Sequence, residues 1–535
     1  MTPKAIKKNI FFNLLFSWGD EMSRTRNSIK NLVTALVGQA LGFIISFVAR
    51  IFFIRVLGKE YLGLNGLFTN ILSILSLAEL GIGEAIIFSL YKPLADDDKE
   101  KCTMLMQLYK KVYTIIGLVI LLVGISLTPF LPLIIKNMPD IPYISFIYIL
   151  FVVNTSVSYF FSYKRNLIIA DQKRYIVTFV RYAVHFVFTF LEIIYLLIWR
   201  DYIGYLVIMI LATIVDNFIV SMIANRIYPY LNTKNKVPLD DESKDSIIKN
   251  TKALMIHKVG GVVVNSTDNI LLSSIVSLNS VALYSNYFFI TNALNSISQH
   301  VFNSVVAGVG NMFVVDSKEK KYRIFKDVLF LDFWMYCFIA VCLLSLFNPF
   351  IELCFGSEYL FSFDIVCIIV INFYAYGMRK SSVTFRQASG LFYKDRWKSV
   401  FEATINLVSS IVFAYYLGTF GVFLGTLVSF VCVSVWVEPL VLYKYGFEVK
   451  LREYFKVYLK YLLITVICSV GTYYICSFIN VGPILSFIIK IIICLIIPNA
   501  VIILLFRKSD EFQYLSNILK KFLGKIFHKK VKYAK

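Results

Sequence analysis

VYTIIGLVILLVGISLTPFLPLII, Val112 to Ile135, decides the class of this protein. Twenty-four residues pass without one Asp, Glu, Lys, Arg or His. A helix of about 20 mostly apolar residues crosses the roughly 30 Å hydrocarbon core of a bilayer. Only helices and closed barrels satisfy every backbone group in lipid. The stretch is too long for a membrane strand and its apolar residues do not alternate, so it reads as a transmembrane helix.

Runs of the same kind recur along the whole chain, and the sequence predicts spans near 31–56, 62–90, 112–135, 141–163, 175–198, 202–224, 253–275, 281–306, 327–350, 360–378, 399–417, 420–443, 461–479 and 483–506. The composition agrees: 58% of the 535 residues are hydrophobic and 16% are charged, with a mean hydropathy of +0.72. Soluble domains carry roughly 25% charged residues. A net charge of +21 in a soluble protein would suggest nucleic acid. Here its placement argues otherwise, since it falls between the spans. Lys and Arg gather on the cytoplasmic side of a membrane. With the N-terminus inside, the alternate segments 1–30, 91–111, 164–174, 225–252, 307–326, 379–398, 444–460 and 507–535 hold 46 of the 54 Lys and Arg residues. The opposite loops hold only Lys59, Lys136 and Arg200. Adding or removing one span would scramble this alternation, so fourteen spans with both termini cytoplasmic are expected.

The domain plan that follows is an interfacial N-terminal segment (1–30), a first lobe of six spans (31–224), a cytoplasmic linker (225–252), a second lobe of six (253–443), two further spans (444–506) and a basic amphipathic tail (507–535). Ile10–Trp18 is short and runs into Gly19, Asp20 and Glu21, which suits an interfacial helix better than a secretory signal. The tail sets Leu515, Ile518, Phe522 and Ile526 against Lys520, Lys521, Lys525 and Lys529, the pattern of a helix on anionic lipid. The lobes are expected to be copies. Gly58-Lys59-Glu60 followed by Tyr61-Leu62-Gly63-Leu64 is echoed about 220 residues later by Leu278-Asn279-Ser280 and Val281-Ala282-Leu283-Tyr284. Transporters built from such repeats bind their substrate at the repeat interface. Nine cysteines scatter through apolar runs with no Cys-x-x-Cys and read as packing residues, and four histidines show no metal-ligand spacing.

Charges and amides inside spans cost roughly 2.5–3.5 kcal/mol each and face the bundle interior or a wet cavity. Gln39, Ser46 and Arg50 share one face of span 1; Glu79, with Glu84 beyond Gly81 and Gly83, sits on span 2; Arg181, His185 and Glu192 line span 5. His257, Lys258 and Asp268 fall on span 7, and Asn292 and Gln299 lie in a polar row on span 8. Two readings compete for each. Arg50 is a cavity cation or helix glue; Lys258 binds substrate or snorkels to the interface; Glu79 and Glu84 are gate carboxylates or flank a glycine hinge. The cavity reading makes Arg50, Arg181, Lys258, Gln39, Gln299 and Asn292 substrate-binding residues, and Glu79, Glu84, Glu192, Asp268, His185 and His257 gating or coupling residues.

The run Tyr61-Leu62-Gly63-Leu64-Asn65-Gly66-Leu67-Phe68, then Ala78-Glu79-Leu80-Gly81-Ile82-Gly83-Glu84-Ala85, then Ser89-Leu90-Tyr91-Lys92-Pro93-Leu94-Ala95, closely resembles Wzx-type polysaccharide flippases. Thr267-Asp268-Asn269-Ile270-Leu271-Leu272 with Tyr284-Ser285-Asn286-Tyr287 resembles their second lobe. The resemblance implies the multidrug/oligosaccharidyl-lipid/polysaccharide exporter superfamily: an all-α polytopic membrane protein of about fourteen helices, with two pseudo-symmetric six-helix lobes as in MATE transporters and two extra C-terminal helices. It implies a bacterial cytoplasmic-membrane flippase, not an enzyme, that carries undecaprenyl-diphosphate-linked oligosaccharides by alternating access for capsule, O-antigen or teichoic-type polymers. Its expected neighbours are membrane lipid, a polysaccharide polymerase and glycosyltransferases, without nucleic acid. No cofactor is implied, and coupling to a proton or sodium gradient stays open. An antiporter for drugs or small organic cations and a lipid II flippase are the alternatives. A polymerase would need a sizeable external loop and an ATP-driven pump a Gly-x-x-x-x-Gly-Lys-[Ser/Thr] loop; the sequence has neither.

Overall fold

The computed structural model describes residues 24–79, 82–232, 266–315, 317–395, 397–517 and 520. Its long helices are α1 (Arg24–Leu57), α2 (Lys59–Leu75), α3 (Ile82–Ala95), α4 (Lys99–Ser126), α5 (Ile144–Ala170), α6 (Arg174–Trp199), α7 (Tyr202–Ile227), α8 (Leu278–Val315), α9 (Lys318–Phe355), α10 (Phe363–Met378), α11 (Lys380–Ala388), α12 (Lys398–Ser429), α13 (Val435–Val441), α14 (Leu451–Ser477) and α15 (Pro483–Phe506). No strand occurs among the described residues. Eight of the described helices are long and apolar enough to cross a membrane, or up to nine if the bent run 144–170 counts as one span. One of the eight, Lys398–Phe447, folds back on itself. Gly418 turns with φ +58°, and hydrogen bonds then pair Ser410 with the Val422 carbonyl (3.1 Å), Ser409 with the Gly425 carbonyl (3.1 Å) and Asn406 with Thr426 (3.1 Å). Partner numbers rise on one strand of this ladder as they fall on the other, so residues 398–417 and 419–447 are antiparallel helices joined at the minimal loop expected there. The count of fourteen remains an expectation.

Two compact units make up the chain. The first comprises Met1–Phe52, Ala78–Ile125 and Ile149–Leu254; the second comprises Phe53–Leu77, Ser126–Tyr148 and Met255–Lys535. In the first, Tyr109, Tyr113, Ile116 and Ile120 of α4 are buried with Val177, Val180 and Val184 of α6 and Val220, Ile223 and Ala224 of α7. Gly117 and Gly124 let α5 approach α4, since a Cβ there would lie 2.8 Å from Phe160 and 2.5 Å from Val152.

In the second unit, α2 packs on α8. A Cβ on Gly63 would come 2.7 Å from the Leu278 carbonyl, and one on Gly66 2.5 Å from Ser285 Oγ. These are the two segments the internal echo pairs. The break before α8 falls at Ser277, inside the expected loop 276–280, and its hydroxyl accepts from the Ser280 amide (3.1 Å). That cap satisfies the new helix end, so a single extended residue suffices. The two C-terminal helices dock on α9 through aromatic rings. Phe333 stacks on Tyr461 at 4.2 Å, Phe330 meets Phe506 at 5.1 Å, and Trp334 Nε1 donates to Asn499 (2.8 Å).

Candidate functional site

In the first unit the candidate residues lie along a seam between α1 and α6. Asn31 accepts from the Tyr175 amide (2.7 Å) and donates to the Gln172 carbonyl (3.1 Å). About two and three turns beyond Asn31, Gly38 and Gly42 receive the Tyr182 ring, which leaves a Cβ no room (2.2 and 2.7 Å). This is the small-x-x-x-small device by which membrane helices come close. Ser46 Oγ then meets His185 Nε2 at 3.0 Å, and Thr189 Oγ1 lies 3.3 Å from His185 Nδ1. Partner numbers climb together along both helices, so α1 and α6 run parallel, as the three expected spans between them require.

Arg50 continues this face, half-buried, and interacts electrostatically with Tyr205 of α7. Tyr205 also feels Glu192 of α6, which is 8% exposed. The structure thus gathers Arg50, Tyr205 and Glu192, and it sets Ser46 and His185 on the same seam. Gln39 is half-buried one residue from Gly38. Arg181 begins the expected face of span 5 but is exposed, whereas His185 is half-buried and Glu192 buried. Periodicity aligned the three; their depth in the bundle separates them.

Span 2 is interrupted. After α2 the chain forms a 3₁₀ turn, Ser76–Glu79, and resumes as α3 at Ile82. Glu79 accepts a hydrogen bond from the Tyr113 hydroxyl. Tyr109 donates to the Gly83 carbonyl (2.8 Å) and accepts from Asn166 Nδ2 (2.8 Å). Gly83 packs closely, since a Cβ there would sit 2.6 Å from the Tyr113 hydroxyl; Gly81 lies outside the described residues. Glu84 falls on α3.

In the second unit Asp268 lies in the helical run 266–271 and is 9% exposed. Thr426 Oγ1 is 3.5 Å from its Oδ1, and Asn406 donates to Thr426 (3.1 Å). Asn292 and Gln299 are exposed on α8, where Gln299 accepts from Lys380 Nζ (2.7 Å). The polar row on span 8 therefore changes role along its length, since Ser285 at one end fills the seam against Gly66. His257 and Lys258 lie outside the described residues. Among the described residues no three His, Cys, Asp or Glu side chains gather as a metal site.

A network that sequence reasoning missed lies in the second unit. Arg379 grips Glu438 through Nε (3.0 Å) and Nη2 (2.7 Å) and reaches Glu402 through Nη1 (3.3 Å). Lys398 Nζ bridges Glu438 (2.7 Å) and Glu402 (2.9 Å), Arg386 pairs with Asp395, and Ser434 donates to Glu402 (2.5 Å). Among the described residues three cations, Arg379, Arg386 and Lys398, face three carboxylates, Glu402, Glu438 and Asp395, so these charges balance. The available signal was Glu402 and Glu438, carboxylates inside predicted spans 399–417 and 420–443. In the first unit Arg165 pairs with Asp216 in the same structural manner.

A family model described as "Polysaccharide biosynthesis protein" matches residues 28–307, just over half of the chain. Comparison with curated proteins gave no match. Among solved structures, an inward-facing MATE family multidrug transporter of the MOP superfamily aligns over 78% of this chain and 99% of its own at 15% identity, with a TM-score of 0.63. The lipid II flippase MurJ, inward closed, aligns over 88% and 98% at 12% identity and 0.64. A mutant of the Vibrio cholerae MATE transporter VcmN aligns over 81% and 99% at 16% identity and 0.55. Identities this low establish a shared fold.

Proposed function

Because the chain belongs to the polysaccharide biosynthesis protein family, we propose that it is a flippase that carries undecaprenyl-diphosphate-linked oligosaccharides from the inner to the outer leaflet of a bacterial cytoplasmic membrane. The observation that carries this reading is the family match across 28–307, which includes the polar seam of α1 and α6 and the broken second span. The transporter fold shared with MATE proteins and MurJ supports it.

The physical task is set by the cargo. A diphosphate must cross about 30 Å of hydrocarbon, where an isolated charge costs tens of kcal/mol by Born estimates. The protein lowers that barrier with a polar path for the head group while the polyprenyl chain stays in lipid. Arg50, Arg181 and Lys258 are the cations assigned to the phosphates, with Arg favoured for its bidentate geometry. Gln39, Asn292 and Gln299 offer hydrogen bonds to sugar hydroxyls. Glu192 shares Tyr205 with Arg50 and moderates its charge, so that cargo is released. Glu79, Glu84, His185, His257 and Asp268 belong to gating and coupling; Asp268, with Thr426 and Asn406 beside it, is the group through which a proton or sodium gradient would act. No covalent bond is made or broken. Glycosyltransferases supply the substrate on the cytoplasmic side and a polymerase consumes it outside, with both termini of the flippase cytoplasmic.

The test is reconstitution of the full-length protein in proteoliposomes with a labelled undecaprenyl-diphosphate oligosaccharide. Protein-dependent access of the sugar to an external lectin or oxidant is expected. Movement of lipid II or of a cationic dye instead, with no movement of the oligosaccharide, would replace this reading with one of its superfamily alternatives.

A further inference from the structure

We infer that Lys136 is a positioning residue that latches a first-lobe loop to the extracytoplasmic end of span 7, and that this latch opens when cargo leaves. The inference rests on the proposed flippase reading, with both termini cytoplasmic. The sequence places three cations on the opposite loops, Lys59, Lys136 and Arg200. Two of them hold first-lobe residues against second-lobe residues. Residues 53–77 and 126–148 belong by sequence to the first lobe, yet they pack in the same compact unit as 255–535. Lys59 Nζ lies over the Tyr359 ring at 5.1 Å, a cation–π contact. Lys136 is engaged more fully.

Span 7 ends in a π turn, Leu272–Val276, followed by one extended residue, Ser277. The last carbonyls of a helix have no partner within it. Here the Ser277 amide donates to the Leu272 carbonyl (2.8 Å), and Lys136 supplies two further donors from 139 residues away. Its amide donates to the Ser273 carbonyl (3.0 Å) and its Nζ to the Ile275 carbonyl (2.5 Å). Ser273 answers in the other direction, its hydroxyl donating to the Ile134 carbonyl at 3.0 Å. Ile134 closes the helical turn Leu131–Ile134, so two helix C-termini meet. Each carries partial negative charge, and a cation beside them offsets their repulsion. Lys136 is exposed, so water competes for its bonds and their net contribution is modest. That suits a contact broken in every transport cycle. Ser273 is 0% exposed, and a reagent reaches it only when the loop lifts.

The experiment uses the full-length protein without its nine native cysteines. Lys136→Cys and Ile275→Cys together are bridged in detergent with a short, reducible bis-methanethiosulfonate, and the protein is then reconstituted in proteoliposomes. Bridged protein should move the labelled oligosaccharide no faster than protein-free liposomes, and a reductant should restore the unbridged rate. Either single cysteine, treated alike, should keep its own untreated rate. Bridged protein that transports at the unbridged rate would show a static helix cap and overturn the inference. A second measurement needs no cargo: the rate at which maleimide labels Ser273→Cys. Lys136→Met removes the cation but leaves the backbone bond, and it should raise that rate several-fold; an unchanged rate would overturn the role of Lys136. If lipid II or a cationic dye moves in place of the oligosaccharide, the proposed cargo falls, yet bridging should halt that movement too and the labelling result stands.

Discussion

Glu438→Gln should be among the most destabilising isosteric substitutions available in this protein. The carboxylate is 0% exposed and receives two bonds from Arg379, at 3.0 and 2.7 Å, and one from Lys398 at 2.7 Å, with Arg386 at 3.7 Å. A glutamine that keeps its oxygen at the Oε1 position still accepts from Arg379 Nη2 and Lys398 but turns a donor toward Arg379 Nε, so one bond disappears and the other two lose the acceptor's charge. The lost bond to a charged group is worth about 1.5–3 kcal/mol, and with the carboxylate's charge gone from a buried cluster the total approaches the roughly 3–5 kcal/mol typical for removing one partner of a buried ion pair. Three cations would then share Glu402 and Asp395. The assay is the fraction of detergent-solubilised protein that stays monodisperse after a heating series. The control is the double variant Arg379→Met with Glu438→Leu, which removes both charges and should recover much of the loss, because an uncompensated buried charge is what costs. Glu438→Gln with wild-type thermal behaviour and impaired export would refute the structural reading and make the cluster part of the transport machinery.

Arg50→Ala should abolish polymer export with membrane insertion intact, and Arg50→Lys should restore it only in part, because a point charge lacks the bidentate fork; surface polymer and membrane-fraction blots measure both. Gly63→Val should separate α2 from α8, since even a Cβ there lies 2.7 Å from a backbone carbonyl, with a loss of about 1–3 kcal/mol read as a lower solubilised melting midpoint. Asn279→Cys, exposed beside the break at Ser277, should react with an impermeant thiol reagent in intact cells, whereas Ser246→Cys should not; the reverse labelling would invert the assigned topology.

What was legible in the sequence was local or periodic. Apolar length marks helices because lipid offers the backbone no other partner, and that rule needs no tertiary information. The turn at Gly418, the break near Gly58 and the pairing of Tyr61–Phe68 with its echo after Ser277 all follow from glycine placement and repetition. The parallel course of α1 and α6, seen in Asn31, Gly42 and Ser46, agrees with the alternation of Lys and Arg. The candidate residues on α1 and α6 were found for the same reason, since a helical face is a property of spacing.

Only the tertiary structure decided which of those charges meet. The basic run 379–398 counts six cations as one topological signal, yet Arg379, Arg386 and Lys398 are bound to carboxylates in a buried network and Lys394 lies over the Tyr445 ring. Glu79 finds Tyr113 at 34 residues' remove, Arg379 finds Glu438 at 59, and Arg50 shares Tyr205 with Glu192. Spacing along one helix sets the direction of a side chain, but its partner is set by how deep each helix sits and which face its neighbour presents. Those are fixed by packing between segments far apart in the chain, where glycines such as Gly38, Gly66 and Gly83 admit close approach and bulkier residues forbid it.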